Sequence, residues 1–455
     1  MTHRIFPLAG DRPGAHAIVG ALCVAALFGI SGPVHAQETP SPAAEGTGSI
    51  DLSALQEAAV QADPRTMQFD ALTTQTALRL ENIEREWLPT PSVNVQAQYQ
   101  SDVVHLPMAI PGVTGLQPQN DTYDGNITTR MELYDPTRDA RAEVERANLG
   151  ESQARVRSDL YGLRQEVNDA YFAALRADVQ RREITASMTA LEAQLEAARN
   201  RLQERAVLPG DVASLEAELL RQGESLGQLT AGRDAALAVL AGLTGRDVEF
   251  PDSLPVFDIA EEVAEVRATN TLPHTRPEYE QFDAIRETLR HQGEIIDARS
   301  LPNFGVIGRA GYGRPGLNPL ASEFSTYWVA GLQLEWVPWN WGARGREREA
   351  LAVQQEIVAS AQAAFDLALE RRVANDLATM DWLEQALADD DRIVALRERI
   401  LDEARLRYEE AVLTSAEFVR VQTDLLSARL ARVVHRVQLA EAGARYLTTL
   451  GIAIP

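Results

Sequence analysis

Three features of this 455-residue sequence contain residue types that are common at ligand-binding sites. The glycine-rich stretch 308–313 is similar to a phosphate-binding loop, the aspartate run 389–391 could bind a cation, and histidines could bind a metal. The glycine-rich stretch has no lysine and opens no helix, so we interpret its glycines as strand and turn residues. We interpret the aspartate run as a solvated helix face. The histidines beyond residue 36 lack ligand spacing; they are His105, His274, His291 and His435.

The composition excludes several classes of protein. All 43 basic residues are arginines, so the chain has no Schiff-base lysine. The single cysteine, Cys23, lies in an apolar segment near the start, and no Ser/His/Asp arrangement can be defined. The net charge of -23 argues against nucleic acid as a partner. We therefore predict a protein that is not an enzyme, with no catalytic residue, no cofactor and no metal site.

The first 36 residues have the pattern of an export signal. Two arginines precede an apolar stretch, 15–30, which is short for a membrane span, and a small-x-small site follows at 34–36. We predict a cleaved signal peptide over 1–36, which would remove the cysteine; an uncleaved anchor helix is the alternative. Residues 37–49 are rich in small and polar types and are predicted to form a flexible leader.

The chain repeats itself with an offset of about 206 residues. Asp211 corresponds to Glu417, and Gly245 corresponds to Gly451. Each half is predicted to contain a short helix, two strands and two long helices. The predicted domains are the first repeat, a linker and the second repeat, over 50–245, 246–276 and 277–455.

Apolar and polar residues alternate in four segments of about ten residues, which places the two sets on opposite faces of a sheet. Such segments suit a transmembrane β-barrel, with a soluble sandwich as the alternative. Four strands are too few to close a barrel around water, so several chains would have to build it together. The predicted strands are 91–100, 123–134, 303–312 and 327–337. Predicted membrane-interface aromatic residues near the strand ends are Tyr99, Tyr312, Trp328 and Trp336.

Two long helical hairpins are predicted, over 136–245 and 342–451. Between Pro136 and residue 205 there is no proline, and apolar residues beyond Asp211 recur at a spacing close to a heptad. Such hairpins cannot bury their apolar faces alone. We therefore expect them to contact neighbouring chains along their whole length.

This combination of an export signal, a twofold repeat, two strands per repeat and two long helices per repeat resembles the TolC-like outer-membrane efflux protein family. The resemblance covers about residues 50–451. The hairpin tips, 201–212 and 407–418, are similar to the family's tip motif, in which an arginine is followed by a glycine and then by an acidic residue. Arg205 replaces the motif glycine in the first tip, and Ala411 replaces it in the second.

The resemblance implies a mainly α fold with a transmembrane β part. Four strands per chain would contribute to the 12-stranded β-barrel of a homotrimer, continued by a long α-helical coiled-coil tunnel. The barrel would lie in outer-membrane lipid, and the tunnel would cross the periplasm to a periplasmic adaptor protein and, through it, an inner-membrane pump. The implied function is passive conduction in a tripartite efflux or export system. A duct for type I protein secretion and, in a different class, a periplasmic coiled-coil structural protein are the alternatives.

The resemblance also implies functional residues at the tips. Asp211 and Glu417 match the family's acidic tip residues, and in a trimer each would form a ring of carboxylates at the periplasmic gate. Arg420 falls at another acidic gate position and would make the ring less negative. The alternative is that both acids complement the dipole of a helix. Candidate adaptor contacts, with packing between tips as the alternative, are Val207, Leu208, Val412, Leu413 and Thr414.

Overall fold

The computed structural model describes residues 51–103, 120–205, 207–248, 259–269, 275–318, 322–410 and 412–454. All described residues lie in one compact unit, within residues 49–455. The predicted signal peptide and leader lie outside the described residues, as do His105, His274 and Ala411. Among the helices of these ranges, none combines the length and the hydropathy needed to cross a bilayer.

The described ranges contain eight α-helices, four β-strands and one short 3₁₀ turn, Pro64–Thr66. In chain order the helices and strands are α1 (Leu52–Ala62), α2 (Met67–Arg85), β1 (Thr90–Tyr99), β2 (Asp121–Tyr134), α3 (Arg138–Gln203), α4 (Pro209–Thr244), α5 (Ala260–Thr269), α6 (Pro277–Ala298), β3 (Asn303–Arg314), β4 (Ser325–Glu335), α7 (Ala343–Glu409) and α8 (Ser415–Leu450). A mainly helical chain with four strands is the fold class that the sequence predicts, and at the level of one chain the prediction is confirmed.

The four strands form one antiparallel sheet in the order β1-β2-β3-β4. One row of laterally paired residues consists of Val93, Ile127, Ala310 and Trp328, and the next row, on the other face, of Asn94, Asn126, Gly311 and Tyr327. The register therefore separates an apolar face from a polar face, as alternation along each strand requires. Trp336 lies just beyond the end of β4.

The alternation fails at the end of β2. Strict alternation predicts that Tyr134 lies on the polar face with Glu132. The register shifts between these two residues, and Tyr134 pairs with Phe304 of β3, with ring centroids 6.2 Å apart. A bulge inserts one extra residue and turns the following side chains to the other face, so Tyr134 joins the apolar face.

The sheet has two open edges in a single chain. Strands β1 and β4 have no second partner strand among the described residues. All ten residues of β1 are exposed. Long open edges present unpaired N–H and C=O groups, which proteins normally cover or pair.

The four longest helices form two antiparallel hairpins, α3 with α4 and α7 with α8. Helix α3 has 66 residues, which corresponds to about 100 Å at about 1.5 Å per residue. Pro209 occupies the first position of α4, where its missing N–H is not needed. Gly245 and Gly451 end α4 and α8 with φ of 65° and 82°, the left-handed conformation that glycine adopts without cost.

The largest core lies where the middle of α3 meets α1, α7 and the C-terminal parts of α4 and α8. Tyr171 and Phe172 of α3 are fully buried there. The buried amide of Asn168 accepts a hydrogen bond from Gln56 of α1 at 2.7 Å and donates one to Thr448 of α8 at 3.0 Å. Buried polar groups are costly unless they are bonded, so this network fixes the positions of α1 and α8 on α3.

Candidate gate and docking site at the hairpin tips

Each hairpin ends in a short turn, 204–208 in the first hairpin and 410–414 in the second. Arg205, which replaces the motif glycine, has φ of 59°. A residue with a Cβ atom adopts this left-handed conformation at a cost of about 1–2 kcal/mol. The first turn therefore keeps the backbone geometry of a glycine although the residue is an arginine.

Asp211 connects the two tips. One carboxylate oxygen accepts the N–H of Leu208 at 3.0 Å, which caps the start of α4. The other accepts the N–H of Ser415 at 3.3 Å, at the start of α8. The carboxylate thus accepts N–H groups at the starts of two helices, and the role of Asp211 in a gate stays a prediction.

Glu417 closes a capping box at the start of α8. Its side chain accepts the N–H of Thr414 at 3.2 Å and the hydroxyl at 2.9 Å, and the Glu417 N–H donates to Thr414 Oγ1 at 3.3 Å. Hydrogen bonds from Thr414 lower the pKa of Glu417, and the charge of Arg420 lowers it further. Glu417 is therefore an exposed, ionised carboxylate with a fixed direction, and its role in a gate stays a prediction.

Contacts between the hairpins near the tips involve residues that the sequence does not single out as a site. The Arg201 guanidinium lies 6.0 Å from the ring centroid of Tyr408. Tyr408 stacks on Phe418 at 4.8 Å with an interplanar angle of 10°. The tip motif contains all three residues, so the sequence could have indicated them by residue type. Tyr408 and Phe418 belong to the same hairpin, but the Arg201–Tyr408 contact joins segments about 200 positions apart.

A second contact between the hairpins lies between two and three helical turns beyond the starts of α4 and α8. The Thr423 hydroxyl donates to Glu218 at 3.2 Å. Burial raises the pKa of Glu218, but hydrogen bonds from Arg221 and two other side chains outweigh it, so the pKa lies below its usual value. No spacing signal in the sequence indicates this pair, because Thr423 is polar and falls outside the apolar heptad pattern.

The predicted docking residues differ in exposure. Leu208 and Val412 are 72% and 71% exposed, which is high for apolar side chains. Thr414 is also exposed, whereas Val207 and Leu413 are half-buried. Thr414 has its hydroxyl in the capping box, so the free apolar surface of the turns is supplied mainly by Leu208 and Val412.

The predicted interface aromatic residues lie on the apolar face or at its margin. All four are exposed: Tyr99, Tyr312, Trp328 and Trp336. Sequence reasoning missed Phe324, whose ring lies 5.4 Å from Tyr312 and 6.2 Å from Tyr123. The strand pattern could not reveal this group, because Phe324 lies just before β4 and not within a strand.

The aspartate run is engaged in side-chain contacts. The carboxylate of Asp390 is hydrogen-bonded to Nδ1 of the His435 ring at 2.7 Å. The carboxylate of Asp391 lies 3.5 Å from the guanidinium of Arg432. Asp389 lies 3.5 Å from Arg392. Across the ranges that the structure describes, no group of three or more His, Cys, Asp or Glu side chains is arranged to hold a metal ion.

Solved structures of outer-membrane proteins are similar to this chain over most of its length. CusC has a TM-score of 0.65 and 13% identity, with 89% of this chain and 92% of that chain covered. VceC from Vibrio cholerae has a TM-score of 0.63 and 14% identity, with 89% and 97% covered. The open state of the MtrE channel from Neisseria gonorrhoeae has a TM-score of 0.60 and 17% identity, with 89% of each chain covered.

No protein-family model and no curated protein matches the sequence. The structural similarities nevertheless define the class of fold. The chain has a TolC-like outer-membrane factor fold, as its sequence pattern predicts.

Proposed function

We propose that this chain is the outer-membrane channel of a tripartite efflux or export system. Three chains pair their sheets into a 12-stranded barrel in outer-membrane lipid, and their helical hairpins form a tunnel in the periplasm. Substrates pass passively from a periplasmic adaptor and inner-membrane pump to the outside. The similar solved structures are channels and not enzymes, which supports this class of function.

The open, one-sided sheet is the observation that carries the proposal. Val95, Trp328 and Leu332 on its apolar face are 84%, 76% and 87% exposed. Soluble proteins rarely leave a large contiguous apolar surface in water or a long strand edge unpaired. Both features become favourable if edges pair between chains and the apolar face contacts lipid.

The dimensions of the sheet support the same proposal. Phe304 and Tyr312 lie on the apolar face of β3, eight residues apart, which is about 27 Å along the strand. At a tilt of about 40° this becomes about 21 Å, similar to the apolar band of about 25 Å in outer-membrane barrels. Other aromatic rings lie beside each of these two residues. Such pairs of aromatic groups are typical of the two girdles at membrane interfaces.

The tips support a docking and gating role within the proposal. Exposed Leu208 and Val412 provide apolar contacts for an adaptor hairpin. The bond from Ser415 N–H to Asp211 holds the two tips of a chain together, so opening of the gate would break it. Glu417 then contributes a fixed negative charge to the entrance.

Cell fractionation followed by mass measurement tests the proposal. We expect the full chain in the outer-membrane fraction, soluble only with detergent, with the protein part of the particle weighing three mature chains. The particle should also migrate faster on a denaturing gel before heating than its mass predicts for an unfolded trimer. A detergent-independent periplasmic monomer would overturn the proposal and favour a coiled-coil structural protein.

A further inference from the structure

Within the glycine-rich stretch 308–313, Gly311 and Gly313 lie on the polar face of the sheet and leave space there for larger neighbouring side chains. A Cβ atom at Gly311 would lie 2.6 Å from Cζ of Tyr327, and a Cβ atom at Gly313 would lie 2.8 Å from Oδ1 of Asp124. Non-bonded carbon contacts are favourable near 3.5–4.0 Å. Both positions therefore require glycine, because the side chains of Tyr327 and Asp124 lie over them.

Three strands contribute to a hydrogen-bonded cluster on this face. The Tyr327 hydroxyl of β4 donates to Asp124 Oδ1 of β2 at 2.5 Å. Arg309 of β3 donates to Asp124 Oδ2 at 2.9 Å, and its guanidinium lies 5.8 Å from the Tyr327 ring centroid. Asn126 donates to the same Oδ2 at 2.5 Å. The cluster holds one acid and one base with fixed side-chain directions.

Asp124 and Arg309 are the two charged members of the cluster, and their 2.9 Å contact balances one charge against the other. Among the described residues of the polar face of β2, the next charged one is Arg130, six residues from Asp124, or about 20 Å along the strand. Arg130 is nearer to Arg309, which pairs laterally with Thr128, but it lies outside the hydrogen-bonded cluster. The net charge of the cluster itself is therefore zero.

We propose that Asp124, Arg309 and Tyr327 form a charge-balanced collar that keeps ion selectivity low in the part of the lumen farther from the helices. The inference rests on the proposed channel function, in which the polar face lines the lumen and three copies surround it. Rings of charged side chains set the selectivity of pores. With the pair intact the collar has no net charge, and loss of either partner creates a ring of three like charges.

Reversal potentials in planar bilayers under a KCl gradient test the collar. Arg309→Gln leaves three carboxylates, and we expect the ratio of cation to anion permeability to rise about two- to threefold at low salt. Asp124→Asn leaves three guanidinium groups, and we expect a fall of similar size. The double variant Asp124→Asn/Arg309→Gln should return the ratio to that of the unchanged protein. If one single variant fails to assemble, the permeability ratio of the other still tests the collar.

Arg314→Gln is the matched control. Arg314 lies on the same strand but on the apolar face, where it pairs with Asp121, so its loss should leave the permeability ratio unchanged. Conducting variants at Asp124 and Arg309 with an unchanged ratio would overturn the collar. A complete lack of conductance in the unchanged protein would overturn the proposed channel instead.

Discussion

At the first hairpin turn, Arg205 has a backbone conformation that glycine adopts without strain. We predict that Arg205→Gly raises the stability of the folded protein by about 1 kcal/mol because the cost of the Cβ atom disappears. The thermal midpoint of the detergent-solubilised protein measures this gain. Arg205→Ala removes the same side chain but keeps Cβ, so it should give no gain; an equal gain would contradict the backbone explanation.

The capping box of Glu417 gives a prediction about pH. Hydrogen bonds from Thr414 lower the pKa of Glu417 in the folded protein. A carboxyl group with a lowered folded-state pKa adds stability above its unfolded-state pKa, and that stability is lost as the pH falls through the folded-state value. We predict that Glu417→Gln lowers the thermal midpoint at pH 7 and that the difference from the unchanged protein disappears in acid below the lowered pKa.

Glu410→Gln is the control for this pH effect. Within the part of the chain that the structure describes, the Glu410 side chain has no hydrogen bond, so its replacement should leave the midpoint unchanged at either pH. A difference between Glu417→Gln and the unchanged protein that persists in acid would show that lost packing, and not lost charge, is responsible.

Residue types at the tips were predictable, but their partners were not. The repeat and the tip motif single out Asp211 and Glu417 from sequence alone. That Glu417 caps its own helix follows from local spacing, because Thr414 precedes it by three residues. That Asp211 bonds the N–H of Ser415 depends on how two hairpins pack, and the chain separation of 204 positions gives no local signal for it.

Among the secondary-structure elements, the two faces of the sheet can be tested by substituting neighbouring residues of β4. Leu332 lies on the apolar face of β4, and the next residue, Gln333, lies on the polar face. An arginine facing lipid costs about 2–4 kcal/mol at the midplane of a bilayer. We predict that Leu332→Arg sharply reduces the heat-modifiable oligomer in the outer membrane, whereas Gln333→Arg preserves it. Equal losses from both substitutions would contradict the assignment of the faces.

Periodicity predicts the type of each long element because most of its residues obey one spacing. The strand predicted over 123–134 is observed as β2, Asp121–Tyr134. A fixed period of two residues cannot predict the bulge that turns the Tyr134 side chain to the other face. Helix α5 lies inside the predicted linker, 246–276. Its Val263 and the preceding Ile259 pack beside Gly443 of α8, where a Cβ atom would lie 3.3 Å and 2.8 Å from their side chains. Such distant packing has no counterpart in the local pattern.

For the whole molecule, the proposed function requires the hairpin tips to part before substrates can pass. The Glu218–Thr423 contact joins the two hairpins of a chain at 3.2 Å, whereas the Arg199–Glu216 contact at 2.7 Å lies within the first hairpin. We predict that Glu218→Cys/Thr423→Cys, bridged by a short cleavable thiol reagent, lowers the open-channel conductance and that cleavage restores it. With its signal removed, the predicted mature chain has no other cysteine.

Arg199→Cys/Glu216→Cys is the control for this crosslink. The same reagent would bridge α3 to α4 without joining the hairpins, so conductance should be unchanged. If both pairs lower conductance equally, crosslinking acts by general stiffening and the hairpins do not move apart.

In the proposed function, several copies of this chain together form a water-filled channel through a membrane. Single-channel recording of the purified detergent-solubilised oligomer in planar lipid bilayers is the decisive measurement. We predict long-lived, discrete conductance steps from the fraction that has the mass of three chains, and none from heat-dissociated chains. An oligomer of that mass which inserts into the bilayer and gives no conductance steps would show that the chain does not form a channel.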